Sequence, residues 1–155
     1  GTSHSDAAGQ RPYRRVLTLA PDDAGYVAGI IDGEGTITLS RRHARDQRQL
    51  VVSVSSTERP ILEWVRKQVG AGKITGKRTV SDRHNPGLTY TVSNRQALDL
   101  LRQIAPRLRS YKRARAELVL DQYAELTPRN GRYTPDLLER RRAFEQALLA
   151  ITLRR

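Results

Sequence analysis

Cysteine is absent from the 155-residue chain, which excludes a disulfide framework, a thiolate zinc site and a cysteine nucleophile. The three histidines, His4, His43 and His84, show no ligand-like spacing, so any chemistry rests on oxygen and nitrogen groups. Long apolar runs are missing too. None approaches the roughly 20 residues needed to cross a bilayer, and the first stretch lacks the apolar centre of a secretory signal. A soluble, intracellular protein with no membrane partner and no small-molecule substrate is expected. Negative charge is scarce: 16 Asp+Glu stand against 28 Lys+Arg, a formal net charge of +12. That excess favours a polyanionic partner, nucleic acid first, over a protein that is merely basic. Most of the cations are arginine, whose fork meets phosphate or a guanine edge bidentately where lysine offers a point charge. The length suits one domain with a real core.

Residues 1–12, within "GTSHSDAAGQRPYRR", are small and polar and begin without methionine; a tag or disordered lead-in is expected there. One domain is expected over 20–155, with its core at 20–126 and a C-terminal helix at 135–153. In "APDDAGYVAGIIDG" the aspartates at 22 and 23 suit a helix cap, Val27, Ile30 and Ile31 form an apolar face, and Gly33 and Gly35 end the helix. "TITLSR" and "QLVVSVSS" then alternate as strands, with Ile37, Leu39, Leu50, Val52 and Val54 inward and a basic loop at 43–47 between them. "ERPILEWVRKQVGAG" reads as a helix with Pro60 in its first turn and Gly70 as its stop. "KITGK" and "LTYTV" form a second hairpin. Ser93 or Asn94 caps a helix that runs to Ala105, Pro106 breaks it, and "RSYKRARAELVLDQYAEL" follows as another. Thr134 and Pro135 open the last helix, with Leu137, Arg141, Phe144, Leu148 and Ile151 along one side.

This order predicts an α+β domain, one antiparallel sheet backed by helices on a single face. The open face then carries Thr38, Ser40, Arg42, Gln49, Ser53, Thr75, Lys77, Thr89 and Thr91, polar or cationic groups almost without acids. An ordinary solvated sheet mixes both signs of charge, so the depletion points to a nucleic-acid face.

The run "VAGIIDGEG", Val27 to Gly35, resembles the nine-residue motif that names the LAGLIDADG homing endonucleases. It keeps small Ala28 and Gly29, aliphatic Ile30 and Ile31, acids at Asp32 and Glu34, and the final Gly35. The order of elements after it is similar to the family's αββαββα core, so the resemblance covers about residues 20–126. It implies a sheet saddle over double-stranded DNA, with two motif helices side by side. Val27, Ala28, Gly29, Ile31 and Asp32 would form that contact. Because the motif occurs once, it implies a homodimer on a long near-palindromic site. It further implies hydrolysis of both strands across the minor groove, leaving short 3′ overhangs.

Catalytic roles carried over by the resemblance fall on Glu34, Lys112 and Ser56. Mg2+ would be held by the Glu34 carboxylate and the Gly33 carbonyl, with Mn2+ substituting and Ca2+ supporting binding without cleavage. For Asp32, hydrogen bonding to backbone is the favoured role. Lys112 is either a lysine that orders water at the scissile phosphate or a solvated basic helix end. Ser56 stands where relatives often carry glutamine, a departure that makes cleavage less assured than binding. The implied biology is intron or intein mobility, in a prokaryotic cytoplasm or an organelle. A non-cleaving DNA-binding regulator and an RNA-splicing maturase are the alternatives on the same scaffold. Glu34 speaks against the first, since a carboxylate beside phosphates repels them. Against the second, an A-form major groove is too narrow to admit a sheet.

Overall fold

The computed structural model describes residues 15–76 and 87–153. In chain order these form α1 (Pro21–Glu34), β1 (Gly35–Ser40), β2 (Gln49–Ser56), α2 (Arg59–Val69), β3 (Lys73–Gly76), β4 (Leu88–Ser93), α3 (Asn94–Ile104), α4 (Lys112–Gln122) and α5 (Pro135–Ala150). A short 3-10 turn, Ala105–Arg107, separates α3 from α4 where Pro106 forbids a continuous helix. The expected α+β layout is borne out.

The strands lie in the order β1-β2-β4-β3, every pair antiparallel. Alternation decides what each face carries. Ile37, Leu39, Leu50, Val52, Val54, Leu88, Tyr90 and Val92 are buried against the helices, and the intervening residues stay half-buried or exposed. From the helical side the core receives Val27, Ala28 and Ile31 of α1, Leu62, Val65 and Val69 of α2, and Ala97, Leu98, Leu100, Leu101 and Ile104 of α3.

Helix ends follow local chemistry at α2 and α5 but not at α1 or α3, where Ser93 stands at the N-cap without a side-chain cap bond and the Asn94 amide turns instead to Tyr123 and Gln49. Gly70 stops α2 in the left-handed region at φ 78°, and a Cβ there would stand 2.6 Å from Cγ of Leu17. At α1 the N-cap is Ala20, with no side-chain cap, so Asp22 and Asp23 do not cap as expected. Pro21 occupies the cap-adjacent position, and both aspartates fall inside the first turn, where their charge still favours the positive end of the helix dipole.

Thr134 caps α5 as expected, its Oγ1 accepting the Leu137 N–H at 3.1 Å. Thr134→Ala should cost about 1 kcal/mol in urea unfolding; an unchanged midpoint would mean that the cap contributes nothing. The buried side of α5 holds a cation. Arg141 is 1% exposed, donates to Glu145 Oε2 at 3.1 Å, to the Leu126 carbonyl at 2.8 Å and to the Arg48 carbonyl, and stacks on Tyr123. It thereby ties α5 to the end of the β1–β2 hairpin.

Candidate nucleic-acid interface

The site begins at the end of α1. The sequence placed Glu34 beyond the helix, but the helix runs through Gly33 and includes Glu34 as its last residue. Distant chain supports these last residues. Lys112 Nζ donates to the carbonyl of Ile31 at 2.8 Å, which also takes the Gly35 N–H, and to that of Asp32 at 2.9 Å, placing a cation at the negative end of the dipole. Gly35 then turns directly into β1. A Cβ on it would lie 2.8 Å from Cα of Ile31 and 3.0 Å from the Ser53 carbonyl, so the motif's last glycine permits this tight passage.

Asp32 is committed within its own chain. Its carboxylate accepts from the Arg109 N–H at 2.8 Å, the Ser110 N–H at 3.1 Å and the Ser110 hydroxyl at 2.5 Å. Burial pushes its pKa up, but these hydrogen bonds and the Lys112 charge outweigh it, and the net shift is downward. Backbone hydrogen bonding is thus what Asp32 does, though it reaches the approach to α4 rather than its own helix end. Glu34, in contrast, is exposed and accepts no hydrogen bond from any described residue. The Gly33 carbonyl beside it follows Ile31, whose carbonyl takes the last helical bond, from the Gly35 N–H.

Lys112 is buried, which removes the solvated helix end from its two readings. Burial lowers its pKa, opposed by Asp32 and Glu34. Ser56 has inward parity at the end of β2, opposite Leu88, and its hydroxyl accepts the Glu58 N–H at 2.9 Å. Across the open face, Thr36 bonds Ser53 and Ser55 bonds Thr89, each pair of hydroxyls 2.9 Å apart. Thr38, Ser40, Gln49, Thr75 and Thr91 share this face. Arg42 lies past the end of β1, in the loop, because the strand stops at Ser40. Lys77 lies outside the described residues.

Ser55 and Lys73 also present outward parity and were missed by the sequence reading, although the same alternation identifies them. A groove of about 540 Å3 runs over the face between Ser40, Gln49, Lys73 and Thr91, with Arg41 and Arg42 at its rim; one acid, Asp46, reaches it. Among the described residues no three His, Asp or Glu side chains gather as a metal cluster.

The expected contact set on α1 needs correction. Val27, Ala28 and Ile31 are 1%, 0% and 1% exposed, packed into their own core, and cannot meet a partner. Outward stand Gly29 and Gly33, with no heavy atom within 4 Å of a built Cβ, and Tyr26, packed edge-on against Trp64 at 5.0 Å.

In backbone arrangement the chain is similar to the homing endonuclease I-CvuI, solved in complex with its target in the presence of Ca, with a TM-score of 0.70 over 85% of this chain and 83% of that one at 22% identity. It is also similar to the archaeal intron-encoded homing endonuclease I-Vdi141I complexed with DNA, at TM-score 0.57 and 17% identity over 85% of each chain. This is the LAGLIDADG homing-endonuclease fold. The LAGLIDADG meganuclease I-AabMI, bound to uncleaved DNA, shares it at TM-score 0.59 and 21% identity, over 79% of this chain and 43% of that one. I-CvuI was also solved with the I-CreI target in the presence of Mg, its DNA not cleaved. No family model and no curated protein matches the sequence. Among the described residues no helix is long and apolar enough to cross a membrane.

Proposed function

We propose that the chain is a site-specific DNA endonuclease of the LAGLIDADG homing type, which as a homodimer cuts both strands of a near-palindromic duplex and leaves short 3′ overhangs. One observation carries the reading. In a helix end where the Asp32 carboxylate and the carbonyls of Ile31 and Asp32 are engaged, the Glu34 carboxylate is left exposed, directly before the first strand of an open sheet face poor in acids.

The donor set fits a hard divalent cation: one carboxylate and the adjacent Gly33 carbonyl are oxygen ligands of the kind Mg2+ takes, too few to enclose it, so water, DNA phosphate and a second copy would complete the shell. When bound, the metal supplies an activated water and stabilises the leaving oxygen. The protein's part is to hold Glu34 in place. Lys112 pins the last turn of α1 from behind, and Asp32 fixes that turn to residues 109 and 110. Lys112 is then a positioning residue whose charge also lowers the cost of gathering carboxylates and phosphates at one point. On the open face, Gln49 and Thr75 read base edges, and Arg42, Lys73 and the other arginines hold phosphates.

A non-cleaving DNA-binding regulator is the second reading. The Ser56 hydroxyl favours it, being already bonded to the Glu58 N–H and short for ordering water at a phosphate.

Both readings require salt-sensitive binding. Log affinity should fall with log salt by about 0.9 for each phosphate neutralised, measured by fluorescence anisotropy on a duplex; a slope near zero would reject DNA as the partner. Incubation with Mg2+ and a randomised duplex library, followed by sequencing of cut ends, separates the two readings. Paired cuts with a constant 3′ stagger support the nuclease, and bound but intact duplexes support the regulator.

A further inference from the structure

We propose that Tyr123 and Asn94 lock the side-chain amide of Gln49 with its NH2 group toward the duplex, making Gln49 a donor that selects guanine over adenine. The inference rests on the reading that the open sheet face binds DNA.

The direction of the lock follows from a backbone group that has only one option. The Leu50 N–H can only donate, and it does so to the Tyr123 hydroxyl at 3.1 Å. Tyr123 is 1% exposed, and its single hydroxyl proton points to Asn94 Oδ1 at 2.8 Å. With its carbonyl taken, Asn94 offers Nδ2, which donates to Gln49 Oε1 at 3.3 Å. The hydroxyl oxygen could accept from an amide as well, but only Asn94 Oδ1 gives its buried proton an acceptor among the described residues, and that choice sets the amides of Asn94 and Gln49 in turn. The starting point is rigid: Tyr123 packs against Phe144 and beneath the buried Arg141. Asn94 is itself a special position, the one described non-glycine residue with positive φ, at 53°. Asparagine tolerates that conformation better than most residues.

Gln49 lies on the open face, opposite Ser40, with Oε1 turned to Asn94 and Nε2 left to meet the groove. In the major groove guanine presents two acceptors, N7 and O6, whereas adenine presents N7 beside a donor, N6. An outward NH2 group therefore suits guanine. The bidentate adenine contact of a free glutamine needs its acceptor as well.

The test is selection of bound duplexes from a randomised library, read by sequencing, for wild type and three variants. Gln49→Ala identifies the position that Gln49 reads. There, wild type should prefer guanine over adenine by about tenfold or more. Asn94→Gly, which suits a positive φ and so keeps the fold, frees the amide and should erase most of that ratio. Asn94→Asp presents only acceptors, turns Nε2 of Gln49 inward and Oε1 outward, and should shift the preference to adenine or cytosine, whose exocyclic amines donate. Overall affinity should stay near wild type in Asn94→Gly, as a purely structural role would not predict, whereas the carboxylate of Asn94→Asp should weaken binding to all sequences alike, so that only the base ratio is compared for it. Adenine in wild type, unchanged preference in both Asn94 variants, or no position sensitive to Gln49→Ala would each overturn the lock while leaving DNA binding intact. Absence of any bound duplex would instead reject the DNA reading, and the lock with it.

Discussion

Replacing Glu34 by glutamine is expected to abolish cutting of a duplex that the protein still binds. The substitution keeps shape and removes the charge that a hard cation requires. It also removes a negative group from beside phosphates, so binding should persist or tighten. A role in holding the helix end predicts a cost of at most about 1 kcal/mol with cleavage retained, and the side chain accepts no hydrogen bond from a described residue that could give it such a role. Asp32→Asn provides the contrast on the same duplex with Mg2+. Its carboxylate takes three hydrogen bonds, and the amide keeps only one oxygen to accept them, so the expected loss is stability, about 1–3 kcal/mol. The lowered pKa of Asp32 places its contribution above the ordinary carboxylate range, lost only as pH falls through that lowered value. Robust cleavage by the Glu34 variant would remove Glu34 from the metal site.

Where structure is set by neighbours in the chain, the sequence could be read directly. The period of two over "QLVVSVSS" places β2 at Gln49–Ser56, as found, and Gly70 ends α2 because only a left-handed residue closes it there. What could not be read depends on residues far apart. "DGEG" looks like a terminator, yet α1 continues because Lys112 reaches its last carbonyls. The same distance effect hides Asp32's partners at 109 and 110, and the buried Arg141 on α5, whose spacing alone gave its face. The inward and outward sides of α1 are a different case. Ala28 and Gly29 are both small, and composition does not say which faces out. The repeat Gly25, Gly29, Gly33 at helical spacing held that information, since three glycines on one face bury nothing of their own. Asn94's positive φ and the chain of bonds to Gln49 had no sequence signal.

That glycine face sets the second large effect. If the chain pairs through α1 as proposed, Gly29→Leu should separate the two copies and abolish paired cutting without unfolding either. A Cβ built on Gly29 meets nothing within 4 Å, so leucine fits its own subunit, and as the better helix former it should stabilise α1 by about 0.5–1 kcal/mol. If two copies of α1 pack along Gly25, Gly29 and Gly33, the added side chain enters the contact twice by symmetry. Overpacking costs about 1–3 kcal/mol at each position, so about 2–6 kcal/mol is lost from association, a weakening between roughly 30-fold and 3 × 10⁴-fold. Sedimentation across a concentration series reads the assembly, and thermal unfolding at low concentration reads the single chain. A variant that melts no lower than wild type as a monomer, sediments as a monomer and fails to make paired cuts would locate the defect in assembly. A wild type that stays monomeric even on DNA would instead end the single-motif homodimer reading, because the lone Glu34 of one chain would then face both strands by itself.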